Sequence, residues 1–496
     1  MSHVRVNASV LSDATGARVE IPVILLANGD QISALGPLVD YLLANSQAKS
    51  LSWMRKVCQA VGLLLDYMEV NQANFERPLA LFDTFAQRVY SGTIGEDGRD
   101  PSGLYWLPRR SETARQLLSV LSDFSDEMHR KIGTAPLNPW REATSYEQRL
   151  AWAALVNKSE RSFLGHLDTR AEATEAAKTA RNTRLRRTPV GDRAETKAFP
   201  ESRLEDLLFK GFMVPGRQQS QDIVARYDWR GICLTLLLNG GGLRDCEPFH
   251  LWVHDVATDP QDPSIALVRV FHPIDGAAPK DFRGPNGRHM ANREAYLGAR
   301  YPGYGPRNRA IGNYHAGWKS PKLSDASQKY LHVHWFPRDM GRLFLQAWKL
   351  YMYQRLHARI GADKHPFLFV SFRGAQRGEP YTIDAFRDAH ARAVKRIGLI
   401  PAKLQGTTEH GHRHAYGQRI SSVDAGERVI QSGLHHRSAE SQAVYTEPSI
   451  ERVTRVLTAA TDSLSTGGGL PMNFDLDAVL HPEREEQECY AQQNAR

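Results

Sequence analysis

The stretch from Trp229 to Glu247 constrains this chain most. Trp229-Arg-Gly-Ile-Cys-Leu-Thr-Leu-Leu-Leu-Asn reads as a strongly apolar helix. It is broken by Gly240-Gly-Gly and turns charged at Arg244-Asp-Cys-Glu247. Such a segment belongs inside a core, so the chain around it must supply covering layers. Strand signals follow at Phe249–His254 and Ile265–Phe271. Tyr330–Phe336 alternates like a further strand and ends at Pro337. Thr382 is placed to cap a helix with Phe386, Ala389, His390, Ala393, Val394 and Ile397 in phase, closed by Gly398.

Upstream, Val19–Leu26 is strand-like and ends at Asn28-Gly-Asp. Helices follow. Ser52 heads one with Met54, Val57, Val61, Leu64, Leu65 and Met68 at the 3.6-residue period. Ser111 heads another, with Ala114, Leu117, Leu121 and Phe124 on one face. The expected class is mostly α with a small β-sheet, an α+β arrangement. The predicted organisation is an N-terminal, mainly helical region over 1–167 and a basic linker over 168–198. A second domain follows over 199–465, then a polar tail over 466–496. The linker reads as a helix start followed by a flexible basic segment holding Arg184, Arg186 and Arg187. The second domain carries an insertion over 272–317, where Arg283, Arg288 and Arg307 lie among tyrosines. Basic residues interleaved with aromatics suit a nucleic-acid backbone; a solvated insertion is the plainer alternative.

Charge agrees with that reading without proving it. Among 496 residues, 63 Lys+Arg against 55 Asp+Glu give a formal net charge of +8. That permits a polyanionic partner. No stretch reaches the roughly 20 apolar residues needed to span a bilayer, and no signal peptide is predicted. Cys58, Cys233, Cys246 and Cys489 are scattered, matching neither a zinc pattern nor a disulfide scaffold, so a reducing, cytosolic protein is expected.

Three short stretches carry chemistry. In Gly242-Leu-Arg-Asp-Cys-Glu247 the spacing lets Glu247 neutralise Arg244, or lets Arg244 reach a phosphate. In His410-Gly-His-Arg-His414 the alternate histidines are conceivable zinc ligands. However, the continuation reads as helix and no Cys or acidic ligand accompanies them, so no metal is expected. In Leu434-His-His-Arg-Ser-Ala-Glu-Ser-Gln-Ala-Val-Tyr445 a tyrosine follows a histidine pair across a small polar stretch.

Together the three resemble the tyrosine recombinases, the phage integrase family. That family places an Arg in a Gly-Leu-Arg-x-x-Glu turn, a Lys on a β-hairpin, His-x-x-Arg, a Gly-His or similar pair, and a Tyr nine residues later. Here Arg244 with Glu247, His410 with Arg413, His436 and Tyr445 stand in that order, across roughly residues 200–450. The pair His435-His436 departs from the common Gly-His. Lys319 is the preferred hairpin lysine, with Lys280, Lys322 and Lys329 as competitors. The insertion and the His-rich motif look like a divergent branch, similar to the gamma-mobile-trio recombinases.

The resemblance implies a helical core-binding domain and a catalytic domain that clamp double-stranded DNA and assemble as tetramers, with possible accessory proteins. It implies a covalent 3′-phosphotyrosine intermediate on Tyr445. Arg244 and Arg413 would offset phosphate charge, His410 would act as base, and His436 would hydrogen-bond a phosphate oxygen. Lys319 would act as acid, and Glu247 would orient Arg244. No metal or nucleotide cofactor is needed. Integration or excision of a mobile element is the expected role. A type IB topoisomerase-like or telomere-resolving enzyme and an inactive DNA-binding accessory protein are the alternatives.

Overall fold

The computed structural model describes residues 3–437, apart from 12–17, 30, 72–77, 162–173, 176, 184, 187–196, 280–282, 284–286, 288–290, 311, 362–363 and 424–425. The chain divides into two compact units, Met1–Gly191 and Asp192–Arg496. About half of the described residues are helical, and the sheets are small and antiparallel. No helix among the described residues is long and apolar enough to cross a membrane.

The first unit opens with strands β1 (His3–Leu11), β2 (Arg18–Asn28) and β3 (Gln31–Ala34), in that order in one sheet. Asn28 pairs with Gln31, so the chain reverses after Asn28, and Gly29 takes a left-handed backbone (φ +61°) that glycine permits. Helices α1 (Gly36–Asn45), α2 (Leu51–Asn71), α3 (Pro78–Ser91) and α4 (Ser111–Ile132) follow. The phased residues Met54, Val57, Val61 and Leu64 of α2 and Ala114, Leu117 and Leu121 of α4 are buried in one core with Ile21, Val23 and Ile24 of β2. Helix α4 ends at Gly133, which is left-handed (φ +70°), with His129, Arg130 and Lys131 in its last turn.

The expected flexible linker behaves otherwise where it is described. After α5 (Ser145–Arg161), residues Thr179–Arg181 form β5, which pairs with β4 (Trp140–Glu142). Arg181 forms a two-pronged ion pair with Asp126 and lies 4.1 Å over the Trp140 ring. A bidentate carboxylate partner and an aromatic face give this arginine a fixed place that a solvated segment lacks.

In the second unit, α6 (Trp229–Asn239) is buried on every side, as its composition requires. Asp228 caps it, accepting from the Gly231 N–H at 3.2 Å. The predicted strand at Phe249–His254 is instead two tight turns, Glu247–His250 and Val253–Asp255, with a single bridge between Trp252 and Phe367. Pro248 supplies no N–H, and the Asp255 carboxylate takes the Trp252 N–H at 2.7 Å, which removes donors a ladder would use. Strands β6 (Val256–Thr258), β7 (Ala266–Phe271) and β8 (Tyr330–His332) form the sheet, with Phe271 opposite Tyr330. The strand predicted to reach Phe336 stops at His332.

The 272–317 insertion, between β7 and β8, is built into the fold. It carries α7 (Arg293–Arg300), and Tyr296 and Leu297 pack with Trp252 and Phe367. Arg293 is buried and ion-paired with buried Asp255, and its guanidinium lies 4.0 Å over Trp252. Helices α8 (Asp339–His357), α9 (Ile383–Arg396), α10 (Glu409–Ser422) and α11 (Glu427–Gly433) complete the unit. Thr382 caps α9 through the Ala385 N–H at 3.2 Å, as its sequence predicts. Helix α6 packs against both α8 and α10.

Candidate active site

Three backbone turns carry the candidate residues. The first follows α6. Gly242 is left-handed (φ +67°), and a Cβ there would stand 2.5 Å from the Tyr416 ring of α10. Only glycine permits this approach, which presses the Arg244 turn onto α10. Glu247 is fully buried and closes the turn. Its Oε2 accepts the Arg244 N–H at 2.8 Å, and its Oε1 accepts Arg244 Nη1 at 2.6 Å. Arg244 keeps 17% of its side chain exposed.

The second turn is the start of α10. His410 is exposed and its ring lies 4.5 Å from that of His414, edge to face. Partial desolvation, together with the charges of Arg413 and Lys319, holds the His410 imidazole below its usual value, against the opposing pull of Asp245. It is thus neutral at neutral pH, as a proton acceptor must be. Gly411 has no room for a side chain: a Cβ would overlap the Gly406 carbonyl oxygen, and its own carbonyl accepts the Phe199 N–H at 3.0 Å. His412 points the other way, into the core. Its Nε2 lies 2.8 Å from His390 Nε2, its Nδ1 lies 3.2 Å from Asn239 Nδ2, and its ring stacks on Phe199 at 4.3 Å. On the helix His412 therefore diverges from His410 and His414, which share a face. Among the described residues no cluster of three or more His, Cys, Asp or Glu could hold a metal.

Arg413 is 2% exposed and joins the turns. Its Nη1 donates to the Gly242 carbonyl, and its Nη2 donates to the Leu434 carbonyl at 2.6 Å.

The third turn ends α11. The His435 N–H bonds the Ser432 carbonyl at 3.1 Å and the His436 N–H bonds that of Gln431 at 2.9 Å. This paired closure is the Schellman motif, whose left-handed position normally holds glycine. His435 occupies it at φ +52°. His436 is buried beside both arginines. Burial, then the charges of Arg413 and Arg244, push its imidazole down to about 3, so it is neutral and has one N–H to donate.

Lys319 is exposed, in the segment that leads toward β8. Its ammonium lies within electrostatic reach of His410 and of Cys246, whose thiol is pushed up to about 12 by burial and by Glu247 and Asp245 while Lys319 and Arg244 pull the other way. Farther along, the Lys322 N–H donates to the His435 carbonyl at 3.1 Å. Arg244, Glu247, Lys319, His410, Arg413 and His436 therefore converge, although 192 positions separate the first from the last. Tyr445 lies outside the described residues, as do Arg184, Arg187, Arg288 and Lys280.

The residues expected to hold DNA divide. Arg186 is exposed with its guanidinium 4.8 Å over Tyr90, and Arg283 is exposed. Arg307 corrects the expectation: it is 2% exposed, donating from Nε to the Tyr314 carbonyl at 3.0 Å and from Nη1 to the Phe249 carbonyl at 3.2 Å. Its guanidinium holds the insertion to the core through these two carbonyls. Reading residue types alone also missed His435 as part of the site. The departure from Gly-His was the available signal.

No family model matches the chain, and no curated protein matches it. Among solved structures it is similar to the XerH site-specific recombinase bound to palindromic difH substrate in a post-cleavage complex. The identity is 12%, over 84% of this chain and 81% of that one, with a TM-score of 0.45. It is also similar to a lambda integrase dimer bound to a COC′ core site (10% identity, 83% and 95% covered, TM-score 0.39). A third is the XerA recombinase (14% identity, 86% and 97% covered, TM-score 0.31).

Proposed function

We propose that the chain is a tyrosine-type site-specific DNA recombinase that cuts and rejoins duplex DNA through a covalent 3′-phosphotyrosine link. The observation that carries the reading is the Arg413 guanidinium, which bonds the Arg244 turn and the His436 turn at once. It thereby gathers two guanidiniums and a neutral imidazole at one place. Such a group of donors suits the charge that builds on a phosphate's oxygens during in-line displacement.

In this reading the Tyr445 oxygen attacks phosphorus and its proton passes to His410. The bond to the 5′-oxygen breaks, and Lys319 protonates that oxygen as it leaves. Arg244 and Arg413 face the non-bridging oxygens, with His436 donating one hydrogen bond. Glu247 orients Arg244 by holding both its N–H and its guanidinium. The 5′-hydroxyl of another strand reverses the steps, so the bond energy is retained and no metal is needed. Arg186, Arg283 and the N-terminal unit would supply phosphate contacts away from the reaction. Movement of a mobile element is the biological role that fits.

The test is covalent capture. A pool of short nicked duplexes of randomised sequence is incubated with the full chain, and detergent-resistant protein–DNA adducts are isolated and sequenced. An adduct mapped by peptide analysis to Tyr445 and a recovered consensus site support the reading. An adduct on another residue, or none, overturns it.

A further inference from the structure

We infer that His435, at the left-handed position of the α11 terminus, is a positioning residue that clamps the Lys319-bearing segment to the His436 turn; this rests on the recombinase reading above. Glycine is the residue this backbone favours, because a left-handed conformation crowds a Cβ against the neighbouring carbonyl. A histidine there needs compensation, and its surroundings supply it. The ring is 1% exposed, donates through Nε2 to the His332 carbonyl of β8 at 2.7 Å, and stacks near His334 with centroids 6.2 Å apart. Its main-chain carbonyl meanwhile accepts the Lys322 N–H at 3.1 Å. One residue therefore grips both ends of the 322–332 excursion, the end nearest Lys319 and the end entering β8.

The two grips differ in what they depend on. The carbonyl bond to Lys322 survives any side chain. The His436 turn is likewise held by main-chain bonds and by Arg413. The bond to His332 exists only through the imidazole. Removing the ring should thus leave His436 in place and loosen the segment that carries Lys319. The affected chemistry is proton delivery to the leaving 5′-oxygen, since a misplacement near 1 Å suffices to slow such a step.

The experiment compares His435→Gly, His435→Asn and Lys319→Ala with the unaltered chain on two substrates of a sequence recovered by the capture above. One is the ordinary phosphodiester. The other carries sulfur at the bridging 5′ position, whose thiolate leaves without a proton. His435→Gly should fold normally by thermal unfolding, cleave the phosphodiester roughly 10–100-fold more slowly, and regain the unaltered rate on the sulfur substrate, as Lys319→Ala should. His435→Asn tolerates the left-handed backbone and keeps an N–H donor, so it should fall between. Equal slowing of His435→Gly on both substrates, or none on either, overturns the role of His435 alone. If the unaltered chain forms no adduct with any duplex, the recombinase reading falls and this inference with it.

Discussion

Arg413 Nη2 donates to the Leu434 carbonyl at 2.6 Å, and Leu434 immediately precedes the His435-His436 pair. The guanidinium is therefore part of the scaffold of the site as well as a candidate partner for phosphate. Arg413→Ala removes both roles. Adduct formation should fall by roughly 10²–10³, and the unfolding midpoint should drop because two buried carbonyls lose their donor. Arg413→Lys, with one nitrogen for two divergent acceptors, should recover little of either. Adduct yield and thermal unfolding measured on the same preparations check both outcomes.

Tyr445→Phe removes only a hydroxyl. The covalent adduct should vanish while affinity for the recovered duplex stays unchanged in a gel-shift titration. An undiminished adduct would identify a different nucleophile.

The arginines of the basic stretches should separate by salt. Each phosphate deprived of its cationic partner lowers the slope of log K against log salt by about 0.9. Arg186→Ala and Arg283→Ala, at exposed positions, should lower that slope. Arg307→Ala should leave it unchanged and instead lower the melting temperature, since the buried Phe249 carbonyl loses its donor.

Asp255 and Arg293 form a buried pair, so removing one partner leaves the other charge uncompensated. Arg293→Ala should cost roughly 3–5 kcal/mol. Chemical denaturation, compared with an Asp255→Asn, Arg293→Met double variant that removes both charges, checks the coupling. The double variant should be the more stable of the two.

Acid should destabilise the second unit specifically. Burial holds His250 and His390 down at about 3 and His365 and His435 at about 4, against about 6.5 in the unfolded chain. The unfolded state therefore binds more protons between those limits. The stability from keeping these rings neutral is complete above about pH 6.5 and is lost as pH falls toward 4. Each ring contributes a slope of about 1.4 kcal/mol per pH unit within that window. Denaturant midpoints should be flat from pH 7 to 8 and fall steeply below 6.

Helices α2, α4, α6 and α9 were legible because their apolar period or buried composition admits one reading, and Thr382 and Gly398 mark the ends of α9. The order of Arg244, His410, Arg413 and His436 was legible because each stands in a short motif of distinctive residue types. Three features were not. The 249–254 segment has strand composition, but the Asp255 carboxylate captures a donor. Arg307 reads as an exposed charge because composition cannot distinguish a solvated guanidinium from one satisfied by carbonyls. The left-handed backbone of His435 depends on partners at His332 and Lys322, more than a hundred residues away in sequence.

The packing at Gly411 and His412 changes the width of the motif they occupy. Written as His-x-x-Arg, it leaves two letters open. Here neither is open: position 411 has an alphabet of one, because the Gly406 carbonyl fills the place of a Cβ, and position 412 is an imidazole enclosed by His390, Asn239 and Phe199. Diverging copies of this chain would have to travel a narrow ridge through sequence space at four consecutive letters. A profile that weights all four, with Phe199 and His390 as distant companions, would separate relatives of this chain from chance occurrences of a histidine three residues before an arginine.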